Sequence, residues 1–84
     1  MTQQDMVGVE ELVREIARAL VDEPSAVEVQ TVNREENTVL KLRVAPQDVG
    51  KVIGKQGRIA RALRTIVKAS AVRDGKRAIV EIVD

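Results

Sequence analysis

Apolar positions recur at Val9, Leu12, Val13, Ile16, Ala17 and Leu20. That i, i+3, i+4, i+7 spacing predicts an amphipathic helix. Glu10, Glu11 and Glu15 lie toward its start, where carboxylates suit the positive end of the helix dipole, and Pro24 closes it. Residues 26–32 then alternate through Val27, Val29 and Thr31. Residues 38–44 alternate again, with Leu40, Leu42 and Val44 on one side and Lys41 and Arg43 on the other. The polar segment Asn33-Arg34-Glu35-Glu36-Asn37 between them predicts an antiparallel hairpin. Pro46 ends strand pairing and suits the first turn of a helix. Gln47 to Ile53 predicts a short helix with Val49, Val52 and Ile53 on one side. Gly54-Lys55-Gln56-Gly57 interrupts it, and helical spacing resumes through Ile59, Ala62, Leu63, Ile66, Val67 and Ser70. Asp74-Gly75 breaks the chain before a last strand at 77–83. Residues 1–8 are polar and without period, and are expected to form a loose, flexible tail ahead of one domain at 9–84. The element order is αββααβ. It predicts an α+β fold in two layers, a three-stranded sheet packed on one face by three helices.

At 84 residues the chain is one domain with a thin core, since a domain this size buries only about 60% of the surface its unfolded form exposes. The residue types it lacks narrow its chemistry. Without Cys there are no disulfides, thiolate metal sites or thiol catalysis. Without His the usual neutral-pH general base is missing, and zinc sites lose both of their commonest ligand types. No metal and no cofactor is expected. Without Phe, Tyr or Trp, nucleic-acid binding by base stacking on aromatic platforms is ruled out. The N-terminus has no basic and apolar leader, and no apolar run approaches the roughly 20 residues a membrane span needs. A cytoplasmic protein that makes no contact with membranes is the expectation.

The net charge of +1 conceals a polarised chain. Residues 1–40 hold three basic and nine acidic side chains, whereas residues 41–77 hold eleven basic and two acidic ones. A concentrated basic region suits a polyanion, most often nucleic acid. A solvated face balanced by the acidic half would carry the same charges.

The basic residues converge on Gly54-Lys55-Gln56-Gly57, with Lys51, Arg58, Arg61, Arg64 and Lys68 on the flanking helices. Two glycines three apart also occur in ordinary turns, where they supply positive φ. In this setting they do more. Without a Cβ at Gly54 and Gly57, a sugar–phosphate backbone approaches the main chain closely. The N–H groups opening the next helix favour anions there. Lys55 and Gln56 are placed to meet phosphate or sugar oxygens, and Arg58 and Arg61 to continue a phosphate track. Ile53 and Ile59 either flank a groove for bases or belong to the core. Arg64 and Lys68 fit the track and a solvated helix face equally well. Lys41 and Arg43 stand on a strand face away from this site. The phosphate-binding loop of nucleotide hydrolases is absent. Gly50 and Gly54 are separated by three residues rather than four, and Lys55 is followed by Gln56 rather than Ser or Thr. The remaining candidates for catalysis are carboxylates on helix faces and turns, so no enzyme is expected.

Val52-Ile53-Gly54-Lys55-Gln56-Gly57-Arg58-Ile59 is similar to the signature of the KH domain, a module that binds RNA and single-stranded DNA. The element order resembles the type II KH arrangement. Arg43 through Lys51 and the ending Gly75 through Asp84 resemble the small single-KH-domain proteins of the KhpA family, a likeness covering roughly residues 9–84. The resemblance implies single-stranded RNA binding at Lys51, Ile53, Gly54, Lys55, Gln56, Gly57, Arg58, Ile59 and Arg61. It also implies a non-catalytic, chaperone-like role in post-transcriptional control. The implied partners are a second copy of the chain and a second KH-containing protein, KhpB (also called Jag or EloR), in the control of cell elongation and division. The competing expectation is a KH fold that serves protein–protein association and binds little RNA.

Overall fold

The computed structural model describes residues 2–34, 37–73 and 77–84, with side chains from Gly8 onward except those of residues 72 and 73. The elements are α1 (Thr2–Leu20), β1 (Glu28–Asn33), β2 (Asn37–Arg43), α2 (Val49–Ile53), α3 (Arg58–Arg73) and β3 (Arg77–Val83). Their order is the αββααβ of the sequence reading. Glu35, Glu36 and residues 74–76, which hold part of the expected hairpin turn and the expected break at Asp74-Gly75, lie outside the described residues.

The helix begins earlier than its apolar stripe. Residues 2–8, expected to be without regular structure, are helical. Extending an existing helix needs no new nucleus, so a polar segment without proline continues it, and Gly8 costs only about 1 kcal/mol relative to alanine. At the other end, Pro24–Ala26 form a single 3-10 turn closed by the Val27 N–H on the Pro24 carbonyl at 3.1 Å. That turn delays β1 to Glu28, two residues later than the alternation suggests. A second 3-10 turn, Pro46–Asp48, takes the first part of the expected short helix and leaves α2 only five residues.

The sheet order is β1-β2-β3. β1 and β2 pair antiparallel as the hairpin reading requires, and β2 and β3 pair parallel. Parallel neighbours need a long crossover, which α2 and α3 supply. Along β2, Leu40 and Leu42 are fully buried, and Val44 just beyond its end nearly so. They meet Val9, Val13 and Ala17 of α1, Val52 of α2, Leu63 and Val67 of α3, and Val80 of β3 in one core. Each fully buried Leu or Val contributes about 1.5–3 kcal/mol, so a core this small leaves little margin. The Thr31 hydroxyl donates to the Glu10 carboxylate, tying α1 to the edge strand β1.

Alternation turns Val32, Val39 and Ile79 to the sheet face away from the helices, and the register sets these three residues side by side. Val39, at the centre of the row, is buried, whereas Ile79 on the edge strand is 46% exposed. β3 is therefore an edge strand carrying an apolar side chain on the sheet's outer face.

Candidate nucleic-acid interface

The loop between α2 and α3 holds every positive φ found among the described residues: Gly54 at 77°, Gln56 at 57° and Gly57 at 72°. Gly54 pairs its φ with a ψ of 172°, a region open in practice to glycine alone. It ends α2, with its N–H donating to the Gly50 carbonyl at 2.9 Å. The chain then makes one 3-10 turn, Lys55–Gly57, closed by the Gly57 N–H on the Gly54 carbonyl at 3.1 Å. α3 follows directly. No side chain caps that turn. The first N–H groups of a helical segment have no acceptor within it, so the turn presents donors at its outer end.

Lys55, Gln56 and Arg58 line an open recess at the loop. All three are exposed. Arg58 Nη2 lies 3.4 Å from Gln56 Oε1, a weak tie across the turn. Arg61 reaches back from the first turn of α3 and donates to the Gln56 carbonyl at 2.9 Å. That bond holds the one non-glycine residue in the left-handed region. Arg61 therefore braces the loop as well as adding charge to it.

Further along α3 the surface opens into a second recess of about 350 Å³, lined by Arg61, Arg64, Thr65 and Lys68 on the helix and Ala78, Ile79 and Val80 on β3. Arg58, Arg61, Arg64, Thr65 and Lys68 repeat at helical spacing and form one cationic and polar stripe. Among the described residues, the ion pairs involve Arg14, Arg18, Arg43 and Lys51, and none engages Lys55, Arg58, Arg61, Arg64 or Lys68. The stripe and the loop thus present cations that no described carboxylate neutralises, and the stripe borders an apolar floor on β3.

The site residues expected from the sequence divide into three groups. Gly54, Lys55, Gln56, Gly57, Arg58 and Arg61 come together at the loop. Ile59 is half-buried and packed against the core, directly beneath Gly54, while Ile53 is 38% exposed at the end of α2. Lys51 is the third case. Its Nζ donates to Asp22 Oδ2 at 3.0 Å and to Asp48 Oδ1 at 3.4 Å, so two carboxylates already hold it. Asp48 is fully buried. Burial by itself would raise its carboxyl, but the N–H groups of Asp22 and Glu23 and the Lys51 ammonium outweigh that and hold it below its ordinary value of 3.8. Lys51 is raised above 10.5, mainly by its bond to Asp22.

Sequence reasoning left Ala78, Ile79 and Val80 out of the site. A signal was present: Ile79 is an isoleucine on the solvent side of an alternating strand, between Arg77 and Glu81. Arg43, placed away from the site, bonds the Asp84 carbonyl and pairs with Glu28 instead.

Residues 10–82 match the family model of the KhpA/KhpB KH domain. The chain is 59% identical over 73 residues to the RNA-binding protein KhpA of Caldanaerobacter subterraneus subsp. tengcongensis, covering 87% of this chain and 97% of that one. It is 57% identical over 75 residues to the RNA-binding protein KhpA of Treponema pallidum, covering 89% and 94%. It is 47% identical over 79 residues to that of Aquifex aeolicus, covering 94% and 100%. Among solved structures, Era in complex with MgGDPNP and nucleotides 1506–1542 of 16S ribosomal RNA superposes with a TM-score of 0.55 at 20% identity. That likeness covers 89% of this chain and 29% of Era, and it concerns the fold alone.

Proposed function

The chain belongs to the KhpA/KhpB family of KH domains, and from that premise we propose that it binds single-stranded RNA at the Gly54–Gly57 loop. One observation carries the reading. A glycine-flanked turn with outward N–H donors stands beside Lys55 and Arg58, and among the described residues no carboxylate answers them. Phosphates sit at the turn, and the adjacent bases lie along α3 against Ala78, Ile79 and Val80. The relatives' name, RNA-binding protein KhpA, supports the same reading. The mechanism is non-catalytic. The protein grips a short stretch of backbone, holds it single-stranded and releases it, as a chaperone-like regulator in the cytoplasm does.

One such module grips about four nucleotides without aromatic stacking. Useful affinity then requires a second module, supplied through effective concentration. Self-association, or a KhpB-type partner carrying its own KH domain, fills that role in this reading and links the RNA contact to cell elongation and division.

The test is binding to a pool of single-stranded RNA across a salt series. With three or four phosphate contacts the log–log slope is about −2 to −3. A variant carrying both Lys55→Asp and Gln56→Asp, shown by circular dichroism to fold, is expected to lose that binding. Equal binding by both proteins would move the contact elsewhere on the basic half. Absence of binding by the unaltered protein would favour the protein–protein reading.

A further inference from the structure

Five residues make a helix that has no stability of its own, because nucleating a turn costs more than so few bonds return. α2 is such a helix, and it decides where Gly54 lies. Something outside it must hold it. One tie is apolar: Val52 is fully buried in the core and Val49 packs against it. The other is polar and reaches across the fold to residues 22 and 23, where the chain leaves α1. Asp48, in the residue before α2, accepts the Asp22 N–H on Oδ1 at 3.2 Å and the Glu23 N–H on Oδ2 at 3.1 Å. Lys51, in the first turn of α2, bridges the Asp22 and Asp48 carboxylates at 3.0 and 3.4 Å. Two side chains three residues apart thus fasten the start of α2 to the exit of α1.

We infer that Asp48 and Lys51 are positioning residues for the RNA loop, and that Lys51 is not one of its phosphate contacts. A phosphate could take the Lys51 ammonium only by drawing it from a buried carboxylate, which would be left with less compensation than it now has. Among the described residues, Lys55 and Arg58 face no such competition. The clamp acts through α2: its far end is the Gly54 N–H on the Gly50 carbonyl, so a loosened start lets the loop's first glycine drift. The functional consequence rests on the RNA-binding reading, whereas the clamp itself is a property of the free protein.

The experiment pairs two readouts on the full chain. Lys51→Met removes the bridge, Lys51→Arg retains a bridging cation, and Arg58→Gln serves as the reference for a lost phosphate contact. Hydrogen exchange of the Gly54 amide in the free protein should quicken at least tenfold in Lys51→Met and return toward the unaltered rate in Lys51→Arg. Affinity for single-stranded RNA should fall about three- to tenfold in Lys51→Met at an unchanged salt slope, whereas Arg58→Gln should lose about 0.7 from the slope. A slope loss of about 0.7 in Lys51→Met, with Gly54 exchange unchanged, would overturn the inference and make Lys51 a phosphate contact. Should Lys51→Met fail to fold, Asp22→Asn removes the exposed half of the bridge, and unchanged Gly54 exchange there would equally overturn it. If the unaltered protein binds no RNA, the functional reading falls while the exchange result still decides the clamp.

Discussion

A Cβ placed on Gly54 would lie 2.8 Å from Cγ1 and 2.9 Å from Cδ1 of Ile59. The first glycine of the loop is therefore required twice, once by its backbone angles and once by the isoleucine packed beneath it. Ile59 is in turn held against the core, so it has little freedom to move aside. Loop shape and core packing are thereby coupled through one contact. Gly57 differs: its φ is also positive, but the nearest atom to an added Cβ is Arg61 Nη2 at 4.0 Å.

Gly54→Ala is accordingly expected to destabilise the fold by about 1–3 kcal/mol, the range for a residue forced into a sparsely populated backbone region. Gly57→Ala should cost less, since only its angles object. Urea unfolding of both variants measures the difference. Adding Ile59→Ala to Gly54→Ala should cost less than the two single changes summed, because the second change removes the atoms the first one strikes. Strict additivity would show that the backbone angles alone fix the glycine.

Gln56 is the loop's other constrained residue. It holds φ 57° and ψ 24°, anchored by Arg61 on its carbonyl. Any residue with a Cβ meets a left-handed penalty of about 1–2 kcal/mol there, and a β-branched one meets more than Gln does, so Gln56→Val should destabilise the fold. Gln56→Gly should leave stability unchanged or raise it. A destabilised Gln56→Gly would mean that the side chain, rather than the backbone, carries this position.

The order of elements was legible because glycine, proline and the switch between helical and alternating spacing punctuate the chain at each boundary. The loop was legible for the same reason: Gly54 and Gly57 carry the strain, and the cations beside them are neighbours in sequence. What escaped depends on residues far apart in the chain. The recess walled by Arg64 and Lys68 and floored by Ala78 and Val80 exists only because β3 docks beside α3. Lys51 and Asp22 are twenty-nine residues apart, and nothing local foretells their pairing. Asp48 looks like an exposed turn carboxylate after Pro46, yet the fold buries it completely. The early start of α1 escaped because a mostly polar segment has no apolar period to read.

The recess yields its own prediction. Ile79 is 46% exposed and outside the core but neighbours the buried Val39 across the strands, so Ile79→Asp should leave the fold intact at a cost of about 1 kcal/mol, the span of strand propensity. It should nevertheless weaken RNA binding, by placing a carboxylate where bases and phosphates pass. Lys68→Gln should also reduce the salt slope by about 0.7 if the strand follows the stripe on α3 that far. Unchanged affinity in Ile79→Asp, with fold intact, would confine the RNA to the loop.

Acid titration tests the buried carboxylate. Asp48 is held below its ordinary value of 3.8 in the folded protein, so the unfolded chain takes up its proton first as pH falls. The stability it contributes is therefore full well above 3.8 and declines as pH drops through that value toward the lower folded one. Other carboxylates also titrate in this range, and a variant separates them. Asp48→Asn should be less stable than the unaltered protein at pH 7, and the gap should narrow steadily below pH 3.8. Lys51, raised above 10.5, gives the opposite limb: its contribution is complete below 10.5 and is lost as pH rises through the higher folded value. Urea midpoints for both proteins at closely spaced pH values supply the comparison. A gap that stays constant from neutral to acid pH would mean that the Asp48 carboxylate is not held charged by the Asp22 and Glu23 N–H groups.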